Sequence, residues 1–236
     1  MKYRVKFSKN GPVRFVGHLD MMRYFQKAIR GAGLPIKYSE GFNPHQIMSF
    51  AAPLGVGVTS DGEYMDIELT ERVSSEATIS ALNETMVSGV MIHSVRELPE
   101  KCENAMASLS GSDYIVTINN RTQLSNGEII ALKHRFFDEA DEIIIEKQTK
   151  KAVRELDLKP YIYSFDIKEE DGILKAYMLL STGSTENIKP QLVLDSMFAS
   201  ASVDLDAYSI SIHKIDMYTG EYPDFISLGE IGSIVN

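Results

Sequence analysis

Over the first 100 residues, the spacing of apolar residues changes from strand-like alternation to a helix-like repeat and then does so again. Few folds accommodate that order of elements. Residues 2–8 alternate strictly, with Tyr3, Val5 and Phe7 on one face, which predicts a half-buried strand. Apolar residues then recur every three or four positions over 18–32, which predicts an amphipathic helix that packs one face on a sheet. The predicted apolar stripe of this helix consists of Leu19, Met22, Phe25, Ile29 and Ala32.

A second alternating strand and a second helix complete the pattern. The remaining predicted elements of this half are extended segments at 35–38 and 46–51, a strand over 64–69 that follows an Asp61-Gly62 turn, a helix over about 74–87 and a strand over 90–98. The order strand, helix, strand, strand, helix, strand is that of the ferredoxin-like unit. The inward-facing residues are expected to share one buried cluster, formed by Tyr3, Val5, Phe7, Leu19, Met22, Phe25, Ile29, Met65, Ile67 and Leu69.

The same order of elements recurs in the second half, after a predicted linker at 99–111. Its predicted elements are strands over 113–118, 142–147, 173–180 and 208–217 and helices over about 126–137 and 187–198, the second helix starting near Ser184 or Thr185. Residues 149–168 fit none of these and are expected to form an insertion. The predicted fold class is therefore α+β with two ferredoxin-like (βαββαβ) units, each an antiparallel sheet with helices on one face. The predicted division is a domain at 1–100, a second at 112–218 and a tail at 219–236.

The charge distribution is uneven, although the net charge is only −9. Residues 1–50 hold nine Lys or Arg against two acids, a net of +7, whereas residues 51–236 hold 15 against 31, a net of −16. A basic block can mark an anionic partner such as nucleic acid, or it can face acids of the same chain. On the first strand we expect cross-strand pairing, with Lys2, Arg4 and Lys6 flanking Tyr64, Asp66 and Glu68 of the antiparallel neighbour. The candidate nucleic-acid-binding residues lie on and after the helix instead: Arg23, Lys27, Arg30 and Lys37.

Residues 17–45 contain the densest group of side chains that could carry chemistry. Two of the five histidines, His18 and His45, bracket a helix start and the turn-rich segment SEGFNPH at 39–45. A helix N-terminus favours anions and such a loop exposes backbone N–H groups. We therefore expect an anion-binding concavity around which His18, Asp20, Ser39, Asn43 and His45 converge. The candidate ligand-binding residues are His18, Asp20, Arg30, Ser39, Glu40, Asn43 and His45. The alternative is that each residue has only a local capping or turn role.

Cysteine content and hydropathy exclude several classes of protein. The single cysteine, Cys102, excludes a disulfide framework and any site built from cysteines alone. No ligand spacing supports a metal site, and no cofactor is predicted. The N-terminal residues alternate in charge, and no stretch approaches the roughly 18 apolar residues that a spanning helix needs. We therefore expect a soluble, cytoplasmic protein without a membrane partner.

Residues 7–69 resemble the N-terminal part of the radical-SAM-linked protein family. The segments that carry the resemblance are GHLD (17–20), AIRGAGLP (28–35), YSEGFNPH (38–45), APLGVGV (52–58) and EYMDIEL (63–69), and KKAVRELDLKPYI (150–162) is similar as well. That family is a domain of unknown function encoded beside or fused to cobalamin-binding-type radical SAM proteins, often beside a ribonuclease of the E/G type. The resemblance implies a radical SAM partner and a context of RNA metabolism. It assigns no catalytic residue.

Two functions of different classes follow. The first is an accessory, substrate-binding protein that serves a separate radical SAM enzyme and presents RNA to it. The chain cannot itself hold such an enzyme's iron–sulfur cluster, which needs three cysteines where this chain has one. The second is a metal-independent hydrolase or ribonuclease that uses His18 and His45 as acid and base. Whether the protein is an enzyme is left open by the sequence.

Overall fold

The computed structural model describes residues 1–148, 153–183 and 186–236, which form two compact units. The first unit comprises Met1–Ser110 together with Lys214–Asn236, and the second comprises Gly111–His213. Both units are mixed α and β, and their strand pairings are mostly antiparallel. The α+β class and the antiparallel pairing are therefore confirmed.

The sheet of the first unit is built around the N-terminal strand. Strand β1 (Lys2–Lys9) lies between β4 (Val90–Glu97) and β3 (Thr59–Glu68), and β2 (Met48–Phe50) pairs with the end of β3. Two helices connect these strands, α1 (His18–Gly31) and α2 (Ser75–Asn83). The strand order begins β4-β1-β3, and β2 pairs with β3 beside this main path, so the first and last of these four strands in the chain lie side by side.

The predicted register of α1 is wrong at one position. Leu19 is 67% exposed, whereas Met21 is 5% exposed and Phe25 and Ile29 are fully buried. The buried stripe is centred on the line from Met21 to Ile29, and Leu19 lies about 200° around the helix from Met21. All other predicted members of the cluster lie in one core, with Met22 at its edge.

The second face of the sheet is also covered, which the alternation did not predict. Tyr64 and Asp66, expected to face outward, are 1% and 8% exposed. Helix α3 (Ala105–Ser108) and the C-terminal Leu228 pack there with Tyr64 in a separate apolar cluster. The segments that cover this face lie far along the sequence, so the alternation within the strand could not predict that Tyr64 and Asp66 are buried.

The predicted cross-strand pairing is confirmed. Arg4 lies opposite Asp66, and its guanidinium donates two hydrogen bonds to that carboxylate, at 2.8 and 3.0 Å. The Ala105 N–H donates a third at 2.7 Å, so a buried charge pair is also bonded to the segment that covers it. Lys6 lies opposite Tyr64 and forms an ion pair with Asp216.

The Asp61-Gly62 dipeptide was expected to form a turn, but it lies inside β3. The reason is a close backbone approach by β10 (Ile210–Thr219), because a Cβ on Gly62 would overlap the Ile215 carbonyl oxygen. Gly62 has no side chain, so the neighbouring strand can approach closely there, and the chain does not reverse direction at this dipeptide.

The predicted linker and tail both contribute to the first unit. Residues 99–111 contain α3 and the start of β5 (Leu109–Ile118), and β11 (Ile226–Ser227) pairs with β10. Val235 is 6% exposed in the core, and its N–H donates to Ser75 Oγ at 2.9 Å. The division into independent domains at 1–100, 112–218 and 219–236 stays a prediction.

The second unit differs from its prediction in the strand that follows its first helix. Strand β5 pairs with β9 (Ile173–Ser181), and β9 pairs with β8 (Ile162–Glu170). Helices α4 (Asn126–Lys133) and α5 (Pro190–Ser200) lie before β8 and after β9 in the chain. The proposed insertion at 149–168 therefore contains much of a sheet strand.

The strand predicted at 142–147 lies outside that sheet. It corresponds to β6 (Ile144–Gln148), which among the described residues pairs only with β7 (Val153–Asp157), in a two-stranded sheet. Strand β8 takes the sheet position because Phe165 and Ile167 are buried against β9. Ser184 and Thr185, near which the second helix of this half was predicted to start, lie outside the described residues.

Over the described ranges of the chain, no helix is both long enough and apolar enough to cross a membrane. The cytoplasmic location stays a prediction.

Candidate functional site

The segment 39–45 is a closed loop held by its two ends. The Ser39 N–H donates to the His45 carbonyl at 2.8 Å, and the His45 N–H donates to Ser39 Oγ at 3.1 Å. Ser39 Oγ also lies 2.8 Å from His45 Nδ1. Gly41 has a φ of +109°, which favours glycine, and Phe42 at the tip is fully exposed. The loop therefore holds an aromatic ring in solvent on a fixed base.

A pocket of about 180 Å³ lies between this loop and the C-terminal half of α1. Its lining consists of Gln26, Arg30, Tyr38, Pro44, His45 and Gln46, none of which is acidic. Arg30 is exposed, and its Nε donates to the Gln26 carbonyl at 3.2 Å. Tyr38 is 44% exposed and His45 is exposed, so two rings and a cation border one small cavity.

Gln46 is the buried polar residue of the pocket, at 5% exposure. Its Nε2 donates to the Gln26 carbonyl at 3.1 Å, and this bond fixes the orientation of the amide, because a carbonyl accepts only from the NH₂ group. Its Oε1 is buried and has no hydrogen-bond partner among the described residues. A buried acceptor left without a donor costs about 1–3 kcal/mol.

The basic residues of α1 form an exposed row beside the pocket. Arg23, Lys27 and Arg30 are exposed and spaced to share one helix face. Asp20 pairs with Arg23 at 3.4 Å, and both side chains are largely exposed, so the attraction is weak. We call Arg23, Lys27 and Arg30 the basic row.

Lys37 is engaged elsewhere. Its Nζ lies 2.6 Å from Glu68 Oε1, and this hydrogen bond lowers the pKa of Glu68. The positive charge of Lys37 is therefore balanced locally, which makes it the weakest of the four nucleic-acid-binding candidates.

His18 lies at a different place from His45. Its ring contacts Phe50 edge-on at 5.4 Å, and it lines a cavity of about 10 Å³ with Lys9 and Glu63. That volume is about enough for one water molecule. The structure thus brings together Arg30, Ser39 and His45, and it does not bring His18 to them.

The other candidates lie apart from the pocket lining. Asp20 pairs on α1, while Glu40 and Asn43 are exposed on the loop. The seven-residue site as a whole stays a prediction. Sequence reasoning missed Tyr38, Gln26 and Gln46. Tyr38 and Gln46 directly flank SEGFNPH and form an antiparallel bridge. Their position at the two ends of that segment is the signal that could have included them.

A buried charge network, also missed, lies around β1. Lys214 and Glu63 pair at 2.9 Å with both side chains almost fully buried. Lys9 Nζ donates to the Val16 carbonyl at 2.7 Å, and burial lowers the pKa of Lys9. Burial also raises the pKa of Tyr64, whose hydroxyl donates to Asp216. The Lys214–Glu63 and Tyr64–Asp216 contacts join segments about 150 residues apart, so no local sequence pattern could predict them.

Within the described ranges, no three His, Cys, Asp or Glu side chains are grouped so that they could hold a metal ion.

Several solved structures resemble the chain at low sequence identity. A crystal structure of a Cbf5-Nop10-Gar1 complex is 13% identical with a TM-score of 0.49, over 91% of this chain and 48% of that one. The Nop10-Cbf5 complex of the archaeal box H/ACA sRNP is 11% identical with a TM-score of 0.43, over 90% and 46%. An unknown protein from Galdieria sulphuraria is 11% identical with a TM-score of 0.26, over 90% and 97%. The chain thus spans about half the length of the first two.

No curated protein matches the sequence significantly. A family model does match, over residues 2–190, which is most of the chain. The protein belongs to the family of uncharacterized proteins conserved in bacteria, DUF2344.

Proposed function

We propose that this protein binds single-stranded RNA through the basic row and the 39–45 loop, as an accessory protein that presents RNA to a modifying or processing enzyme. The observation that carries the proposal is the fully exposed Phe42 on a closed loop, next to an acid-free pocket that contains Arg30. Proteins that bind single strands combine a positive groove with rings on which bases stack.

The electrostatic part of the proposal rests on the basic row. Lys27 and Arg30 have no ion pair among the described residues, and the pairing of Arg23 is exposed and weak. Such side chains can neutralise phosphates and release counterions, which gives affinity that falls steeply with salt. The stacking part rests on Phe42, Tyr38 and His45, because unpaired bases stack on aromatic side chains.

The finer fold assignment is part of the proposal. The order β4-β1-β3, with the short β2 paired to the end of β3 and all three pairings antiparallel, supports a ferredoxin-like topology for the first unit. In many sheets of this type the face without helices binds RNA. Here α3 and Leu228 cover that face and bury Tyr64, which supports an interface on α1 instead.

The radical SAM partner is also a proposal, and its support is the resemblance of residues 7–69 to proteins encoded beside such enzymes. With one cysteine in this chain, any iron–sulfur cluster would have to belong to that partner. The alternative of a hydrolase using His18 and His45 has less support, because the two histidines line different cavities.

The test measures the binding of fluorescent 12-nucleotide single-stranded RNA by anisotropy over a series of salt concentrations. The double variant Lys27→Ala/Arg30→Ala should weaken binding and reduce the slope of log affinity against log salt by about 1.4, at about 0.7 per lost phosphate contact. The control is Lys101→Ala/Lys189→Ala, which removes the same charge from other exposed positions and should leave the slope unchanged. Absence of RNA binding, or an equal loss in both variants, would contradict the proposal.

A further inference from the structure

A large groove in the second unit lies beside the edge of β6 that pairs with no strand among the described residues. We propose that this groove docks an extended segment of a partner protein in which apolar and basic residues alternate, and that the segment pairs with the free edge of β6. The inference goes beyond the proposed RNA binding, because every residue that it uses belongs to the second unit.

The first step is the position of the groove relative to β6. All four residues from Ile143 to Glu146 line the groove, whereas no described residue of β7 does. Consecutive side chains of a strand point to opposite faces, so a groove that meets four residues in a row lies along the edge of the strand. That edge is the one opposite β7.

The second step is the state of the backbone groups on that edge. The Leu158 N–H donates to the Ile143 carbonyl at 2.8 Å, which sets the phase of the β6–β7 ladder. Because hydrogen-bonded and non-hydrogen-bonded pairs alternate in an antiparallel ladder, Ile144 and Glu146 direct their N–H and C=O groups away from β7. None of these four groups has a hydrogen-bond partner among the described residues. A strand edge with free donors and acceptors is a template on which an extended peptide can add a strand.

The third step is the apolar character of the groove, which has a volume of about 780 Å³. Helices α4 and α5 and the segment between α4 and β6 supply its other wall, with Leu132, Phe136 and Ala199 among the apolar side chains. Ile144 at the free edge is 52% exposed, and native proteins usually avoid exposed apolar side chains on an unpaired edge. Alternate side chains of an added strand would enter this groove.

The fourth step is the charge of the rim, which selects the partner. Glu142, Glu146 and Asp195 line the groove, are exposed and have no ion pair among the described residues, and the lining contains one base, Arg135. Residues 111–213 as a whole hold 17 acids against 11 Lys or Arg, a net of −6. This charge disfavours RNA, and it disfavours a second copy, because a two-fold interface on β6 would bring the same carboxylates of both copies together. A segment whose remaining side chains are Lys or Arg complements the rim.

The test titrates the full chain into a fluorescent nine-residue peptide of alternating lysine and valine and follows its anisotropy. We expect this peptide to bind about tenfold more tightly than one in which glutamate replaces lysine. Two further versions keep every side chain and carry N-methyl groups on the backbone of either the lysines or the valines. Only one of these two sets of amides can face β6, so one version should bind about tenfold more weakly than the parent and the other should bind equally. Equal affinities of the parent and both methylated versions would overturn strand pairing.

Charge reversal on the protein then assigns the site. Glu142→Lys/Glu146→Lys should weaken binding of the lysine–valine peptide about tenfold and should strengthen binding of the glutamate peptide. Glu100→Lys/Glu221→Lys makes the same change at exposed positions of the first unit and should leave both affinities unchanged. An equal loss in the two variants would mean that only overall charge attracts the peptide, and it would overturn the proposal, as would the absence of any peptide binding. Dimerisation of the free protein that Ile144→Pro abolishes, measured by sedimentation, would assign the edge to a second copy and would overturn it as well.

Discussion

At the scale of single residues, an exposed aromatic ring indicates a binding surface only when the backbone that carries it is held in place. Phe15 and Phe42 are both exposed, at 61% and 106%, but only Phe42 sits at the tip of a loop closed by Ser39 and His45. Phe15 is already in contact with the guanidinium of Arg14. Because the base of its loop is fixed, a nucleotide that stacks on Phe42 loses less conformational entropy than one that stacks on a mobile ring.

We therefore expect Phe42→Ala to weaken binding of single-stranded RNA by about 1–3 kcal/mol, the usual contribution of one stacked base. The salt dependence should not change, because no phosphate contact is lost. Tyr208→Ala is the matched control, since Tyr208 is 90% exposed in the second unit and should have no effect. Equal affinities of the two variants would exclude Phe42 from the interface.

At the scale of elements, local periodicity predicted most strands and helices, and it failed where two registers compete. Leu19 and Met21 both fit an apolar stripe on α1, and the choice depends on which side of the helix meets β1 and β3. The same limit explains β8, because several alternating segments follow α4, and β8 is the one among their described residues that pairs with β9. Pairing of that kind is decided by packing between segments distant in sequence.

The register of α1 predicts effects of very different size for two nearby apolar residues, Met21 and Leu19. Met21→Ala should destabilise the first unit by about 2–5 kcal/mol, because it leaves a cavity in the core. Leu19→Ala should change stability by less than about 0.5 kcal/mol, since that side chain is already in solvent. Urea denaturation followed by circular dichroism measures both. A greater loss in the Leu19 variant would mean that the helix is rotated from the orientation described.

At the scale of the whole molecule, the candidate site was the part least accessible from sequence. The segment 39–45 stood out through its composition, but Gln46 and Gln26 became part of the site only because α1 and the loop pack together. The buried Lys214–Glu63 pair shows the same limit, and so does the burial of the Arg4–Asp66 pair, of which only the cross-strand pairing was predicted. Charged residues in a strand look like a solvated face until the segment that covers them is known.

The C-terminal segment gives the last prediction, because residues after β10 complete the core of the first unit. Leu228 is fully buried and Val235 is 6% exposed, and backbone hydrogen bonds join Val235 to Ser75 and Ser233 to Glu97, near 2.8–3.0 Å. Val235→Ala should therefore destabilise the first unit by roughly 1–3 kcal/mol through lost burial and a residual cavity. Its neighbour Ile234 is 65% exposed, so Ile234→Ala should cost less than about 0.5 kcal/mol.

Hydrogen–deuterium exchange of peptides covering β1 and β4 separates this effect from unfolding of the second unit. Exchange of those amides should accelerate in Val235→Ala and remain unchanged in Ile234→Ala, because exchange from core strands reports the free energy of opening the unit that contains them. Peptides from β8 and β9 should exchange alike in both variants. Unchanged protection of β1 in the Val235 variant would mean that the C-terminal segment rests on the first unit without stabilising it. Accelerated exchange there would establish that a segment more than 200 residues from β1 in the chain belongs to the same cooperative unit.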